Sequence, residues 1–234
     1  MRIINDGQQL VRQLPFLKKV DEKDLKALGE KGSARQYKAG SVVFREGDPG
    51  DSLHLVLDGS IRLTVLTRGG EEITVALVGP GESLGDLSLL DGLPRSATAT
   101  AFRNSRTFVV TRTDFLDWLV QRPRSALALL EVLSLRFRRK EQMLTDFIFF
   151  DLTRRLACQL IDLTQTVPEV RPERQGDAAL VRITQGELAS MLGVSRQSVN
   201  KELNAFADRG WITLGRGSVS VRNPTALTTF ALGD

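Results

Sequence analysis

Cysteine and histidine are almost missing from this chain: its 234 residues hold one of each, Cys158 and His54. A single thiol rules out an intrachain disulfide, in keeping with a reducing cytosol, and it rules out a metal centre built on several cysteines. A single histidine rules out a multi-histidine zinc or iron site. Long apolar runs are missing too, and none reaches the length of a membrane span. The opening residues, Met1-Arg2-Ile3-Ile4-Asn5-Asp6, put no apolar core behind their charge, so no signal peptide is expected. These absences lead to the expectation of a soluble, cytoplasmic protein without a metal.

What is present is ordinary in amount and informative in arrangement. Hydrophobic residues make up 41% and charged residues 26%, which suits one large or two modest domains. The net charge is +4, a balance that permits nucleic-acid binding without requiring it. With 32 basic residues against 28 acidic ones, any basic surface has to be local.

Over residues 3–30, Leu10, Leu14, Phe16, Leu17, Leu25 and Leu28 keep a helical spacing that Pro15 interrupts, which predicts two short helices. From about 33 to 112 the pattern becomes short runs of Val, Leu, Ile and Thr. Turn residues divide them, among them Gly47-Asp48-Pro49-Gly50, Asp58-Gly59 and Gly79-Pro80-Gly81. Regular short strands of this kind predict a β-barrel or sandwich. Ile61–Val65 and Ile73–Leu77 alternate, with Gly69-Gly70 as the hairpin turn between them. Helical spacing returns at 113, where Thr113 and Asp114 are the expected N-caps.

A long helix is predicted from Pro123 to about Phe149. Leu130, Phe137 and Leu144 recur every seven residues, and Leu133 and Phe147 extend the stripe. Such a stripe packs either on its own domain or on a partner helix. A length of about 40 Å favours a dimer seam, because a small barrel cannot cover it all. Another helix is expected from Leu152 to about Thr166, then a loop from Pro168 to Gly176. The expected domains are 1–122, the barrel with its N-terminal helices; 123–149, the long helix; and 150–234.

The segment from Thr184 to Arg209 carries the strongest signal. Thr184 and Glu187 make a capping box. Leu188, Ala189 and Leu192 line the inner face of a short helix, and Gly193 stands where a tight turn needs positive φ. Ser195 caps a second helix with Val199, Leu203 and Phe206 inside. Helix, glycine turn and helix at this spacing form a helix-turn-helix. Arg196, Gln197, Asn200 and Lys201 face outward, where a recognition helix meets base edges; Arg suits guanine and Gln suits adenine. Thr184, Gln185, Ser195 and Ser198 suit phosphate contacts. The runs 211–214 and 218–221, split by Gly215-Arg216-Gly217, read as a β-hairpin wing. Arg216 at its tip is either a phosphate contact or a plain exposed arginine.

Barrel, long helix and winged helix-turn-helix in that order resemble the cyclic-AMP receptor/fumarate-nitrate regulator (Crp/Fnr) family of bacterial transcription regulators. The likeness covers roughly residues 10–225. Its most specific parts are Val194-Ser195-Arg196-Gln197-Ser198-Val199 and the stretch from Leu84 to Ala97. The resemblance implies an α+β fold with an N-terminal cyclic-nucleotide-binding jelly-roll barrel, a long dimerisation helix and a C-terminal winged helix-turn-helix. It also implies a homodimer that binds an inverted-repeat operator in double-stranded DNA, bends it and contacts RNA polymerase.

In the cyclic-nucleotide members the Leu84–Ala97 stretch holds the ligand. The resemblance implies that Arg95 pairs with the cyclic phosphate, that Ser96 adds a hydrogen bond, and that Gly85 lets the backbone of the Gly85-Asp86-Leu87 turn approach. Asp86 stands where the family has glutamate for the ribose hydroxyl, one methylene longer. Lys140 and Glu141 stand where cyclic-AMP-responsive members have Thr and Ser for the purine. Gln197 replaces the family's glutamate on the recognition helix, which implies a half-site related to TGTGA with relaxed choice at that base. An iron–sulfur sensor is excluded by the lone Cys158, and a haem sensor by the lone His54. His54, between Leu53 and Leu55, reads as structural, and Cys158 as a small, partly buried hydrophobe.

The leading expectation is therefore a regulator gated by cyclic AMP (cAMP) bound between barrel and long helix. The alternative is a ligand-independent regulator of the same family with a vestigial barrel. A cupin-type enzyme fails for want of histidine ligands, and a Ser–His hydrolase would have to use a strand-buried His54, so no enzyme is expected.

Overall fold

Turn residues cut the first half of the chain into eight short strands. They are β1 (Gly32–Tyr37), β2 (Val42–Phe44), β3 (Ser52–Asp58), β4 (Ile61–Leu66), β5 (Glu72–Val78), β6 (Ser83–Leu84), β7 (Thr98–Ala101) and β8 (Ser105–Thr111). Helix α1 (Glu22–Gly29) precedes them, α2 (Asp86–Asp91) lies between β6 and β7, and α3 (Arg112–Val120) and α4 (Pro123–Phe149) follow. The computed structural model describes residues 20–166 and 178–232. The helix expected near Leu10–Leu17 and the loop from Pro168 to Gly176 lie outside those residues. Two compact units emerge: residues up to Leu66 with Val75–Arg139, and Thr67–Thr74 with Lys140 onward.

In the first unit the strands form two four-stranded sheets, ordered β1-β8-β3-β6 and β2-β7-β4-β5, a jelly-roll sandwich. Strand β3 explains the layering. Leu53 to Leu57 are all buried, so both faces of the strand are covered. Leu53, Leu55 and Leu57 pack with Leu25 and Leu28 of α1, Phe115 and Trp118 of α3, and Leu129 of α4. Val56, on the other face, packs with Ile61, Leu84 and Ala99 between the sheets. His54 shares that inner face, its ring 5.7 Å from Phe44 and 6.5 Å from Tyr37.

Some local expectations need correction. Helix α3 starts earlier than its sequence suggests: Thr111 is the N-cap, its hydroxyl accepting from Asp114 N at 3.1 Å. Asp114 belongs to the first turn, where its carboxylate accepts from Thr111 Oγ1 at 2.7 Å. In β4 the alternation is blurred, with Thr64 buried and Leu63 and Val65 only half-buried, as happens in a strand shielded on both sides.

The second unit is built from α5 (Leu152–Thr166), β9 (Ala179–Val181), α6 (Gln185–Leu192), α7 (Arg196–Asp208), β10 (Ile212–Gly215), β11 (Ser218–Val221) and α8 (Pro224–Leu232). Its sheet is ordered β10-β11-β9. Leu156, Leu160, Leu188, Val199, Leu203, Phe206 and Leu227 are buried. Trp211 packs tilted on Phe206 and Phe230 meets it edge-on, with ring centroids 5.5 and 6.0 Å away. No helix among the described residues is long and apolar enough to cross a membrane.

Candidate functional site

Gly85 opens the first site. It precedes α2 with φ +81°, and a Cβ there would stand 2.2 Å from Arg95 Nη1 and 3.0 Å from Ser52 O. Both the backbone conformation and the space demand glycine. Arg95 is buried against it. Its Nη1 donates to Gly85 O and Ser88 Oγ, both at 3.1 Å. Its Nη2 donates to Ser52 O at 2.7 Å and Ser52 Oγ at 3.0 Å. The Phe44 ring lies 4.3 Å from the guanidinium carbon. Burial lowers the Arg95 pKa, and the carboxylates of Asp51, Asp48 and Asp86 oppose that shift.

Asp86 begins α2 and is buried. Its carboxylate pairs with Arg136 of α4, whose other terminal nitrogen donates to Ser83 Oγ at 3.1 Å. Arg136 was not among the expected site residues: it stands in a run of basic residues, and nothing in the local spacing points fifty residues back to Asp86. Leu87 is half exposed and Ser96 is exposed. Lys140 lies one turn beyond Arg136 on α4, with Glu141 beside it, and both are exposed. The structure thus brings Gly85, Asp86 and Arg95 together and leaves Ser96, Lys140 and Glu141 facing solvent.

His54 lies close by, with Nε2 3.4 Å from Ser52 Oγ. Burial, then the positive charges of Arg95 and Arg35, push its pKa down to about 4, against a smaller upward pull from Asp51. Among the described residues, no group of three or more His, Cys, Asp or Glu is placed to hold a metal ion.

The expected seam divides. Leu130, Phe137, Leu144 and Phe147 stand 58–63% exposed on α4. Leu133 does not join them: it is half-buried and packs with Val132 against the core of the first unit. Leu133 lies within the angular range of the stripe, so its burial follows from its height on α4, beside Leu129 and Val132, where the helix packs on the first unit's core.

In the second unit the predicted caps form as read. Thr184 Oγ1 accepts from Glu187 N at 3.2 Å, and Glu187 Oε2 accepts from Thr184 N at 2.6 Å, closing the capping box. Gly193 ends α6 with φ +65°. Ser195 Oγ accepts from Ser198 N at 3.1 Å and caps α7. Two further bonds hold the pair of helices. Thr153 Oγ1 of α5 donates to Glu202 Oε2 of α7 at 2.8 Å, and Arg155 Nη2 donates to Leu192 O at the end of α6.

With Val199, Leu203 and Phe206 inside, Arg196, Gln197 and Lys201 are exposed on α7. No hydrogen bond or ion pair holds their side chains among the described residues. Asn200 is half-buried and accepts from Asn204 Nδ2 at 3.0 Å. Thr184, Gln185, Arg196, Leu214, Gly217 and Ser218 border one hollow, which joins both helix starts to the wing. Arg216 is exposed at the wing tip.

Comparison with known proteins matches both parts of the chain at the level of domains. The cyclic nucleotide-binding domain covers residues 34–122 and the Crp-like helix-turn-helix domain residues 154–230. The CRP-like cAMP-activated global transcriptional regulator of Mycobacterium tuberculosis is 34% identical over 210 residues, 89% of this chain and 92% of the relative. The cyclic AMP receptor protein of Thermus thermophilus is 37% identical over 199 residues, 85% of this chain and 88% of the relative. Among solved structures, the c-di-GMP responsive global regulator CLP of Xanthomonas campestris superposes with a TM-score of 0.73 at 24% identity. That match covers 86% of this chain and 99% of CLP.

Proposed function

This chain belongs to the Crp/Fnr family of transcription regulators, and from that premise we propose that it acts as a cytoplasmic homodimer which reads an inverted-repeat operator and is gated by cyclic AMP. The observation that carries the reading is the α6–turn–α7 unit. Its inner face is closed, and Arg196, Gln197 and Lys201 stand free on the opposite side.

In this reading the N-terminal end of α7 enters the major groove. Arg196 donates to guanine, Gln197 takes adenine, and Lys201 reaches a second base or a phosphate, with Asn200 beside them. Thr184, Gln185, Ser195 and Ser198 sit at helix starts, where free backbone N–H groups and hydroxyls suit phosphate oxygens. Arg216 extends the contact from the wing. The operator half-site is related to TGTGA, with relaxed choice opposite Gln197. RNA polymerase is the further partner.

The sensor is the cassette of the 1–122 domain, the coupler the 123–149 helix, and the reader the 150–234 domain. Two observations make its residues fit an anionic effector: the buried Nε of Arg95 has no partner among the described residues, and Gly85 sits where any Cβ would strike the guanidinium. Arg95 and Ser96 hold the cyclic phosphate, and Asp86, oriented by Arg136, takes the ribose hydroxyl. Lys140 and Glu141 meet the base from α4, and Leu87 borders the ligand. Leu130, Phe137, Leu144 and Phe147 pair the long helices. The chain is a regulator and performs no catalytic step.

One observation favours a second reading. The Arg95 side chain is 2% exposed and already carries four hydrogen bonds, so a regulator that never takes a ligand is consistent with the cassette. Operator selection from random DNA, with and without cAMP, decides. The expected result is a TGTGA-related half-site bound more tightly with cAMP, base choice relaxed in Arg196→Ala, and affinity lowered across all sequences in Lys201→Ala. A strict TGTGA, or wild-type binding by both variants, would overturn the assignment of contacts. Equal binding with and without cAMP would favour the ligand-independent regulator.

A further inference from the structure

A guanidinium has five N–H donors, and at Arg95 each can be followed. Nη1 gives both to Gly85 O and Ser88 Oγ, and Nη2 gives both to Ser52 O and Ser52 Oγ. Only Nε keeps its proton unshared among the described residues. Both acceptors on Nη2 belong to Ser52, the first residue of β3. Next to Ser52 stands Asp51, with Oδ1 3.5 Å from Nη2 and accepting from Ser52 Oγ at 2.9 Å. Arg95 is 2% exposed while Asp51 is 80% exposed.

A carboxylate on the solvent side of a buried arginine stands where an approaching anion must come. The acceptors differ in how readily they yield. Ser52 O and Gly85 O are backbone atoms fixed by strand and turn. Ser52 Oγ is a rotor, and Asp51 is free to swing into water.

We propose that Asp51 and the Ser52 hydroxyl form an internal anion latch, which occupies Arg95 Nη2 in the ligand-free protein and has to be displaced by the phosphodiester of an incoming ligand. The proposal rests on the reading of the Arg95 cassette as an anion site. It makes Asp51 and Ser52 determinants of affinity that act by competition. Nε and the Ser52-held edge of Nη2 then form the pair of donors that a phosphate takes side-on. Asp51 also repels an anion directly, so its effect fades as salt rises, whereas the uncharged hydroxyl competes equally at all salt concentrations.

Calorimetry of the full chain with cAMP tests this, comparing wild type with Asp51→Asn, Ser52→Ala and Arg95→Ala. An exposed carboxylate at this distance contributes little, so Asp51→Asn should tighten binding by about two- to fivefold at low salt and by less at high salt. Ser52→Ala should tighten it by a similar, salt-independent factor, and Arg95→Ala should abolish it. If Arg95→Ala abolishes binding but the other two variants bind as wild type or more weakly, the latch is overturned and the cassette stands.

If no variant binds cAMP, the cyclic-AMP reading fails by itself. The latch is then judged from the Arg95 Nε–H resonance during titration with inorganic phosphate. A response at lower phosphate in Asp51→Asn than in wild type sustains it, and identical titrations overturn it.

Discussion

His54 is the one side chain whose ordinary pKa places a charge change between pH 5 and 8, and the fold moves it out of that window. Its folded value is about 4 against 6.5 when unfolded. Between those values the unfolded chain holds a proton that the folded chain refuses, so stability falls as pH drops below about 6.5 and the loss levels off near pH 4. Urea unfolding at pH 7.5 and pH 5.5 should differ by about 1 kcal/mol from this group alone. His54→Phe, packed against Phe44 and Tyr37, should flatten that difference; an unchanged pH dependence would mean that another group carries it. The structural role of His54 was readable because leucines flank it in a strand run. Gly193 was readable for a different reason: positive φ restricts the residue type at a single position. Gly85 was read through the family resemblance, and its positive φ emerged only with the fold. Arg136 was not, because its partner Asp86 is set by tertiary packing and leaves no local trace.

At the scale of elements, periodicity carried furthest where one element meets one environment. The long helix matches from Pro123 to Phe149, and α6 and α7 match down to their caps. Shorter pieces were lost. Strand β9 has three residues, α2 has six between two glycines of positive φ, and α8 is a short helix that starts at Pro224, where Asn223 Oδ1 accepts from Ala226 N. The exposed apolar stripe on α4 is the proposed dimer seam. If it is the dimer seam, Phe137→Glu with Leu144→Glu sets like charges against one another where leucine and phenylalanine would meet. Sedimentation should then report a monomer that keeps its helical circular dichroism, since both positions are exposed and leave the first unit's core intact. A double variant that sediments as wild type would move the interface elsewhere. Leu133→Ala should instead lower the melting temperature, because that side chain packs on the barrel core.

At the scale of the whole molecule, the order of parts was legible because each has its own period: two in the barrel, 3.6 in the helices, and a glycine turn at a fixed place between α6 and α7. The state of the sensor was not. A sequence that contains Arg95 does not say that four of its donors are engaged by Gly85, Ser88 and Ser52, and that closure decides how the two proposed regulators differ. A gated protein couples its sites, and coupling is reciprocal. Whatever factor saturating cAMP adds to operator affinity, saturating operator must add to cAMP affinity. For ordinary allosteric proteins that factor is about 5 to 150, well within reach of fluorescence anisotropy on one side and calorimetry on the other. Equal factors above one would establish that cassette and recognition helix bias the same equilibrium. A factor of one from both directions, with cAMP still bound, would leave a sensor that has lost its connection to the reader. Arg95→Ala should bring the operator-side factor to one, since without the guanidinium the cassette loses the donors that hold the phosphate.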